Sequence, residues 1–555
     1  MHFEWRLTRG KRYLWIVEAH RTPKGVRRTW QMYAGTAESL RARLSRQGKS
    51  RLKTYPFGKT AALLRAAQET GLLDSLDQRI SRRHQGGMSV AQYLFLQVLG
   101  RAEKPLSREK MADWFPSSAL PLLWNTRDHP SPKTLLRYLH RLTANGRTAA
   151  PGETILTPAT IHRVEEDVLQ TLRQQGLSLD RMLMDTTNFF TYHQDGGLHR
   201  KGHSKERRYD KALLGLGLVT SGPVPVLSEL YPGNLADPKV FHRIFEALVL
   251  RLDRLEVPTD HLVVVFDRGV NSIENFDAVL ESMHVIAAVN RQEARRLFQT
   301  PLAEYHEVCR DGEGKPIRGW PTLWHGYDRD WRTLVIYREA TAKHQQARWE
   351  STKKKVLDQV AKWQSSLEKG APGRSQKALL RKLVELIPKD YHGVFDYGVE
   401  KREGKNWPRC EVPAEAEERL RLSWGKTALV TDMLPEKLSE SAMVEGYVAR
   451  AELEDDFKWL KDRGVMSVKP IWVWDEAEVR GHVFLCVMGL MLYRWLQWKV
   501  RDLNLPMKQL VEALEGIRVG AVKTVTGAPE LVVEEMTRTQ AQLFSRLKLG
   551  DLIPQ

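Results

Sequence analysis

Three carboxylates and three partners for phosphate stand out by type and spacing. Tyr447, Arg450, Glu454 and Lys461 follow one another at offsets of 3, 4 and 7. On a helix turning roughly 100° per residue they fall within about 60° of one face. Beside this polar line runs an apolar one, Leu453, Phe457 and Leu460, spaced to anchor the helix on a core. The ordinary reading of such a segment is a surface helix with Glu454 satisfied by Arg450. Asp185 and Asp267 change the balance. Asp185 lies inside the β-prone run DRMLMDTTNFFTY, and Asp267 ends the apolar run HLVVVF. Taken singly, Asp185 reads as a strand-edge hydrogen-bonding residue and Asp267 as a turn-former before Arg268-Gly269. Taken together with Glu454, they supply the oxygen ligands a hard divalent cation needs. Phosphoryl transfer is well served by two such ions about 3.5–4 Å apart. Arg450 and Lys461, one turn before and two turns after Glu454, are suited to face phosphates.

The elements around these residues read as an α/β core. Asp180–Tyr192, Ala212–Thr220 and Val224–Tyr231 are successive strand-like runs. A helical pattern over Val240–Leu252, the strand His261–Phe266, a helix from about Ser272 and the strand Val285–Val289 follow. This β-β-β-α-β-α-β order predicts three consecutive antiparallel strands and then parallel crossovers. Asp267 thereby stands at the carboxyl end of its strand, where open α/β sheets place their chemistry. We divide the chain into six pieces: a β-meander (1–36), a helical DNA-binding domain (37–178), the first part of the core (179–290), an insertion (291–435), the second part of the core (436–500) and a tail (501–555). Within the helical domain, Ser131–Leu142 carries a core stripe of Leu135, Leu139 and Leu142, with Lys133 and Arg137 on its surface. The connection from the preceding helix, Ser107–Phe115, runs over Pro116–His129, too long for a helix-turn-helix. The insertion is expected to interrupt the sheet, beginning with loop-rich, Trp-containing sequence and a strand, Trp331–Arg338, and continuing as a helical hairpin, Ala340–Lys369 and Ser375–Ile387, before a charged loop, Gly398–Ala414. Thr427–Asp432 is expected to be the strand that returns.

Composition narrows the partners. Eighty-six basic residues against 68 acidic ones give a net charge of +18, an excess that suits a polyanion. Three scattered cysteines form neither a disulfide framework nor a metal knuckle. The start of the sequence is charged and lacks an apolar export segment, and Val483–Leu492 is too short to span a bilayer. A soluble intracellular protein is therefore expected. Gly425-Lys426-Thr427 lacks the leading glycine of a phosphate loop, Gly215-x-Gly217 lacks the third glycine of a dinucleotide fingerprint, and no nucleophile elbow occurs. His199 and His203 have ligand spacing but no cysteine or carboxylate beside them, a poor case for zinc.

Tyr447, Arg450, Glu454 and Lys461 match Y-x2-R-x3-E-x6-K, and the chain resembles the DDE transposases of the bacterial insertion-sequence-four superfamily, long-interval branch. DTTNFF around Asp185, GHSKERRYD (202–210), YPGNLAD (231–237), VVFDRG around Asp267 and RGHVFLCVMGLML after the signature extend the likeness. The resemblance implies a ribonuclease-H-like core in which Asp185, Asp267 and Glu454 bind Mg²⁺ or Mn²⁺, two ions per site. It implies that Tyr447, Arg450 and Lys461 position transposon-end phosphates, and that Lys201, Lys205, Arg207 and Arg208 touch the DNA backbone. Cleavage at terminal inverted repeats, joining of 3′ ends to target DNA and a synaptic homodimer follow, in the bacterial cytoplasm at the nucleoid and with no membrane partner. The insertion is the least matched part, so Trp320, Trp324, Trp331 and Trp407 carry no assigned role. Two alternatives remain open: a metal-dependent nuclease of the same fold without strand transfer, and a non-catalytic DNA-binding relative.

Overall fold

The computed structural model describes residues 2–22, 25–36, 38–39, 52–80, 87–143, 159–522 and 530–553. Pro23-Lys24, between the second and third β-prone runs of the N-terminal meander, and the side chain of Leu142 lie outside them. The chain forms two compact units, one of residues 1–62, 114–126 and 509–555, the other of residues 63–113 and 127–508.

In the first unit, β1 (His2–Thr8), β2 (Lys11–Thr22) and β3 (Gly25–Thr36) make the antiparallel meander expected from the alternating sequence. A second sheet takes in part of the tail: β4 (Leu52–Pro56) pairs with a strand at Arg518–Val522, which pairs in turn with Glu530–Val533. The tail also holds the helices Met507–Glu515 and Arg538–Arg546. Its strands are short and their partner lies at the other end of the sequence, so no local pattern betrays the pairing.

The second unit is built on nine strands. The first five are β5 (Arg181–Thr191), β6 (Ala212–Ser221), β7 (Val224–Pro232), β8 (Val263–Phe266) and β9 (His284–Ala288). They stand in the order β7-β6-β5-β8-β9. β6 runs antiparallel to both β5 and β7, and β5, β8 and β9 run parallel. This is the ribonuclease-H-like mixed sheet, and it follows from the sequence. β5 and β6, joined by the basic loop 192–211, and β6 and β7, joined by a two-residue turn, pair as a meander, and the helices Asp237–Arg254 and Ile273–Leu280 carry the chain back for the parallel strands. β6 is buried along its whole length. A Cβ on Gly217 would sit 2.0 Å from Ile244 Cδ1, so the helix Asp237–Arg254 can lie close only because that position is bare.

The insertion does not interrupt the sheet; it widens it. β10 (His306–Arg310), β11 (Pro316–Gly326) and β12 (Arg329–Tyr337) add antiparallel strands. They reach β9 through a later strand, Lys426–Thr431, the return strand expected from the sequence. Between them stands a small body with the helices Glu339–Glu368 and Gln376–Leu386. The segment read as a charged loop is a hairpin, β13 (Asp396–Arg402) and β14 (Lys405–Glu411), turning at Glu403-Gly404. Lysine and arginine on half-exposed strands hide the usual apolar alternation. Trp349, Val356, Ile387, Tyr391 and Phe395 form the core of this body.

We number the remaining strands β15 (Lys426–Thr431), β16 (Arg518–Val522) and β17 (Glu530–Val533). The helix Glu440–Trp459 packs on β5, β8 and β9. Its buried neighbour Glu476–Lys499 packs against the helices Val90–Glu103 and Pro132–Thr143. That neighbour is long and apolar enough to cross a membrane, but 89% of its most apolar window is buried within the fold.

Candidate active site

The sheet register brings the two aspartates side by side. β5 and β8 pair in parallel as Arg181 with Val263, Met182 with Val264 and Leu183 with Val265. Two residues further along the same register, Asp185 and Asp267 stand on adjacent strands, roughly 4.8 Å apart in the pairing direction. They also share one face of the sheet. Asp185 continues the strand, and its Oδ1 accepts the Thr186 N–H at 2.7 Å. Asp267 ends its strand and begins a short 3₁₀ turn, its Oδ1 accepting from Arg268 N at 2.8 Å. The turn-forming role expected of Asp267 taken singly is therefore real, but it uses one oxygen. The other faces Arg450 on the helix Glu440–Trp459.

That helix begins at Glu440, capped by the Ser439 hydroxyl, and ends at Trp459. Leu453, Phe457 and Leu460 are buried as their spacing predicts. Gly446 lets the helix lie against the sheet, since a Cβ there would meet Ile286 Cδ1 at 2.9 Å. Tyr447, Arg450 and Glu454 occupy the helix, whereas Lys461 does not. The last turn tightens, with Lys461 N bonding to Lys458 O, and Lys461 projects from the turn beyond the helix.

Arg450 joins the elements. Its Nη1 lies 3.2 Å from Asp267 Oδ2 and its Nη2 lies 3.1 Å from Glu454 Oε1. The guanidinium stands 5.3 Å from the centre of the Tyr447 ring, and its Nε is buried without a hydrogen-bond partner. The ordinary helix ion pair is present, then, but it is shared with a carboxylate from β8. Burial works against the Arg450 charge, and Tyr447, Asp267, Glu454 and Asp185 outweigh it, so its pKa rises. Burial raises the Asp185 carboxyl, and Asp267 pushes the same way, against Lys205, the Thr186 N–H and Arg450. Burial likewise raises the Tyr447 hydroxyl.

The basic loop after β5 supplies the flank. Lys205 Nζ donates to Thr186 O at 2.6 Å, which sets it beside Asp185. Lys461 Nζ donates to Thr187 Oγ1 at 2.9 Å and lies 3.9 Å from Glu206. Lys469, which the sequence did not single out, shares Glu206 at 2.5 Å. Burial, Lys469 and Lys205 lower the Lys461 ammonium, with Glu206 opposing. Lys201 and Arg207 are exposed in the same loop, and Arg208 pairs with Asp210 at 2.8 Å. Lys133 and Arg137 are exposed on the helix Pro132–Thr143, outside this cluster.

On the other side of Arg450 opens a cleft lined by Asp267, Arg268, Arg291, Lys426, Tyr447 and Arg450. Arg291 Nη2 donates to Ser423 O at 2.7 Å, and Lys426 Nζ donates to Phe298 O at 3.0 Å and Thr300 O at 2.5 Å. Burial pushes Lys426 down to about 8. Sequence reasoning passed over Arg291 and Lys426. The available signal was positional: Arg291 follows β9 as Asp267 follows β8, at the carboxyl ends of parallel strands.

Among the described residues, no three acidic, histidine or cysteine side chains stand close enough, as arranged, to hold a metal ion. The donor set nonetheless suits one. Asp185, Asp267 and Glu454 offer only carboxylate oxygens, the choice of hard divalent cations. Arg450 is already the stand-in cation between two of them. His199 bonds to Thr191 and stacks on His193. Trp331 is buried with its Nε1 on Gly326 O, and Trp320, Trp324 and Trp407 face Tyr305, Tyr327 and Arg402.

No family model and no curated protein matches the chain. Among solved structures, similarity is found to the piggyBac transposase synaptic complex with hairpin DNA, at 8% identity over 82% of this chain and 79% of that one, TM-score 0.36. A Mos1 transposase paired-end complex with left transposon end is similar at 13% identity, covering 36% and 59%, TM-score 0.14. A Mos1 mariner paired end complex with Mn is similar at 15% identity, covering 45% and 72%, TM-score 0.15. These likenesses are faint, and the fold rests on the strand order and pairing given above.

Proposed function

We propose that this chain is a DNA transposase of the DDE class, akin to the insertion-sequence-four superfamily, which cuts at the terminal inverted repeats of its element and joins the freed 3′ ends to target DNA. One observation carries this: carboxylates from β8 and from the helix Glu440–Trp459 converge on one guanidinium, and the sheet register sets a third, on β5, beside the first. The Y-R-E-K spacing and the net charge of +18 agree with it.

In this reading Asp185, Asp267 and Glu454 hold Mg²⁺ or Mn²⁺. When bound, such ions supply the charge that activates an attacking oxygen and steadies a departing 3′ oxygen. Tyr447, Arg450 and Lys461 orient the phosphates of the cut strand. Lys201, Lys205, Arg207 and Arg208 hold the flanking backbone, and Lys133 and Arg137 touch DNA further off. A homodimer pairs two ends. The test is incubation with Mg²⁺ and a fragment carrying the DNA that flanks the chain's own gene, read on a gel. Excised and joined species are expected. Nicked products alone would instead indicate a nuclease of the same fold, and uncut DNA a non-catalytic binder. Asp267→Asn is expected to abolish cleavage and leave end binding within about twofold; equal loss of both would make Asp267 structural.

A further inference from the structure

Arg450 occupies the space between Asp267 and Glu454 that a ligated cation would need. Two cations cannot share it: a few ångströms apart in partly buried surroundings, their repulsion exceeds the cost of a changed side-chain rotamer. The guanidinium also has somewhere to go. The adjoining cleft is lined by Arg268, Arg291 and Lys426, and Tyr447 stands on its wall. Arg291 and Lys426 are held there by backbone carbonyls. A phosphate entering the cleft meets an excess of positive charge, and the Arg450 Nε, buried and without a partner, gains an acceptor.

We propose that Arg450 is a displaceable counter-ion: without DNA it neutralises Asp267 and Glu454 and keeps divalent ions out, and a DNA phosphate in the adjoining cleft draws it away and opens the carboxylates to metal. This rests on the assignment of those carboxylates as metal ligands. It makes metal charging conditional on DNA, so that an enzyme without DNA stays uncharged. Thermodynamic linkage requires the effect to be mutual: whatever factor DNA adds to metal affinity, metal adds to DNA affinity.

The experiment measures Mn²⁺ binding to the whole protein by the electron paramagnetic resonance of the free ion, with and without a duplex carrying the element's ends. Wild type is expected to bind Mn²⁺ weakly alone and roughly tenfold or more tightly with the duplex. Arg450→Gln is expected to bind DNA-free Mn²⁺ roughly tenfold more tightly than wild type. Arg450→Lys, which keeps the charge but cannot reach both carboxylates at once, is expected to shift the same way. If both variants melt as folded proteins yet bind DNA-free Mn²⁺ no more tightly than wild type, the counter-ion role is overturned. Asp267→Asn separates this from failure of the functional assignment. Loss of Mn²⁺ binding in that variant, with both Arg450 variants unmoved, removes only the counter-ion. Mn²⁺ binding that survives Asp267→Asn removes the metal site and the counter-ion with it.

Discussion

At the residue scale, the two oxygens of Asp267 have separate employment: one caps the turn at Arg268 and the other meets Arg450. An asparagine keeps the cap and loses the charge, which is why Asp267→Asn tests chemistry with little damage to the fold. Lys461 is the corresponding test for phosphate contact. It stands past the end of the helix, tethered to Thr187 and Glu206. Lys461→Ala should weaken DNA binding almost uniformly across sequences. It should also lower the magnitude of the slope of log affinity against log salt by about 1, measured by titration at several salt concentrations. An unchanged slope would mean that Lys461 serves Glu206 and not DNA.

At the scale of elements, the helix Glu440–Trp459 must be held on the sheet against the repulsion of its own charges. Asp456, buried on its far side, pairs with Arg494 of the helix Glu476–Lys499 at 2.5 Å. Asp456→Ala leaves that arginine with neutral hydrogen-bond partners, Glu452 O and Gln497 Oε1, in place of its buried carboxylate and should cost about 3 kcal/mol in denaturant unfolding. The strand β15 carries a second constraint. Lys426 begins it, and burial holds its ammonium at about 8, below the ordinary 10.5. Between those values the unfolded chain binds the proton that the folded chain has lost, so stability climbs as pH rises from 8 to 10.5, by up to about 3 kcal/mol. Lys426→Met should abolish that climb, as read from unfolding free energies at pH 7.5 and 10.5. An equally steep climb in the variant would assign it to another group.

At the scale of the whole molecule, the excess of basic residues is a statement about partners and association rates, not about fold. The intact protein should lose roughly 10³-fold or more in DNA affinity between 50 and 200 mM salt if several of these cations meet phosphates. A flat salt response would contradict an extended DNA footprint. The nine-stranded sheet explains how the insertion fits: its strands β10, β11 and β12 continue the sheet beyond β15, and the body on Trp349 and Phe395 is inserted in the chain between the neighbouring strands β12 and β15.

Sequence alone determined the order of the core strands, because buried strands announce themselves as continuous apolar runs and the helices between them by their period. It also determined which residue types could gather at the carboxyl ends of those strands, since Asp267 closes such a run. The tertiary structure decided what pattern cannot encode. Strands with charged residues on both faces, such as β13 and β14, have no apolar signature. The pairing of β4 with β16 joins opposite ends of the sequence through backbone bonds that leave no periodicity. The end of the helix Glu440–Trp459 before Lys461 was likewise set by its last turn and not by spacing. The placement of Arg450 between two carboxylates depends on how far a side chain reaches across a packed interface. Only the assembled sheet and helix fix that distance.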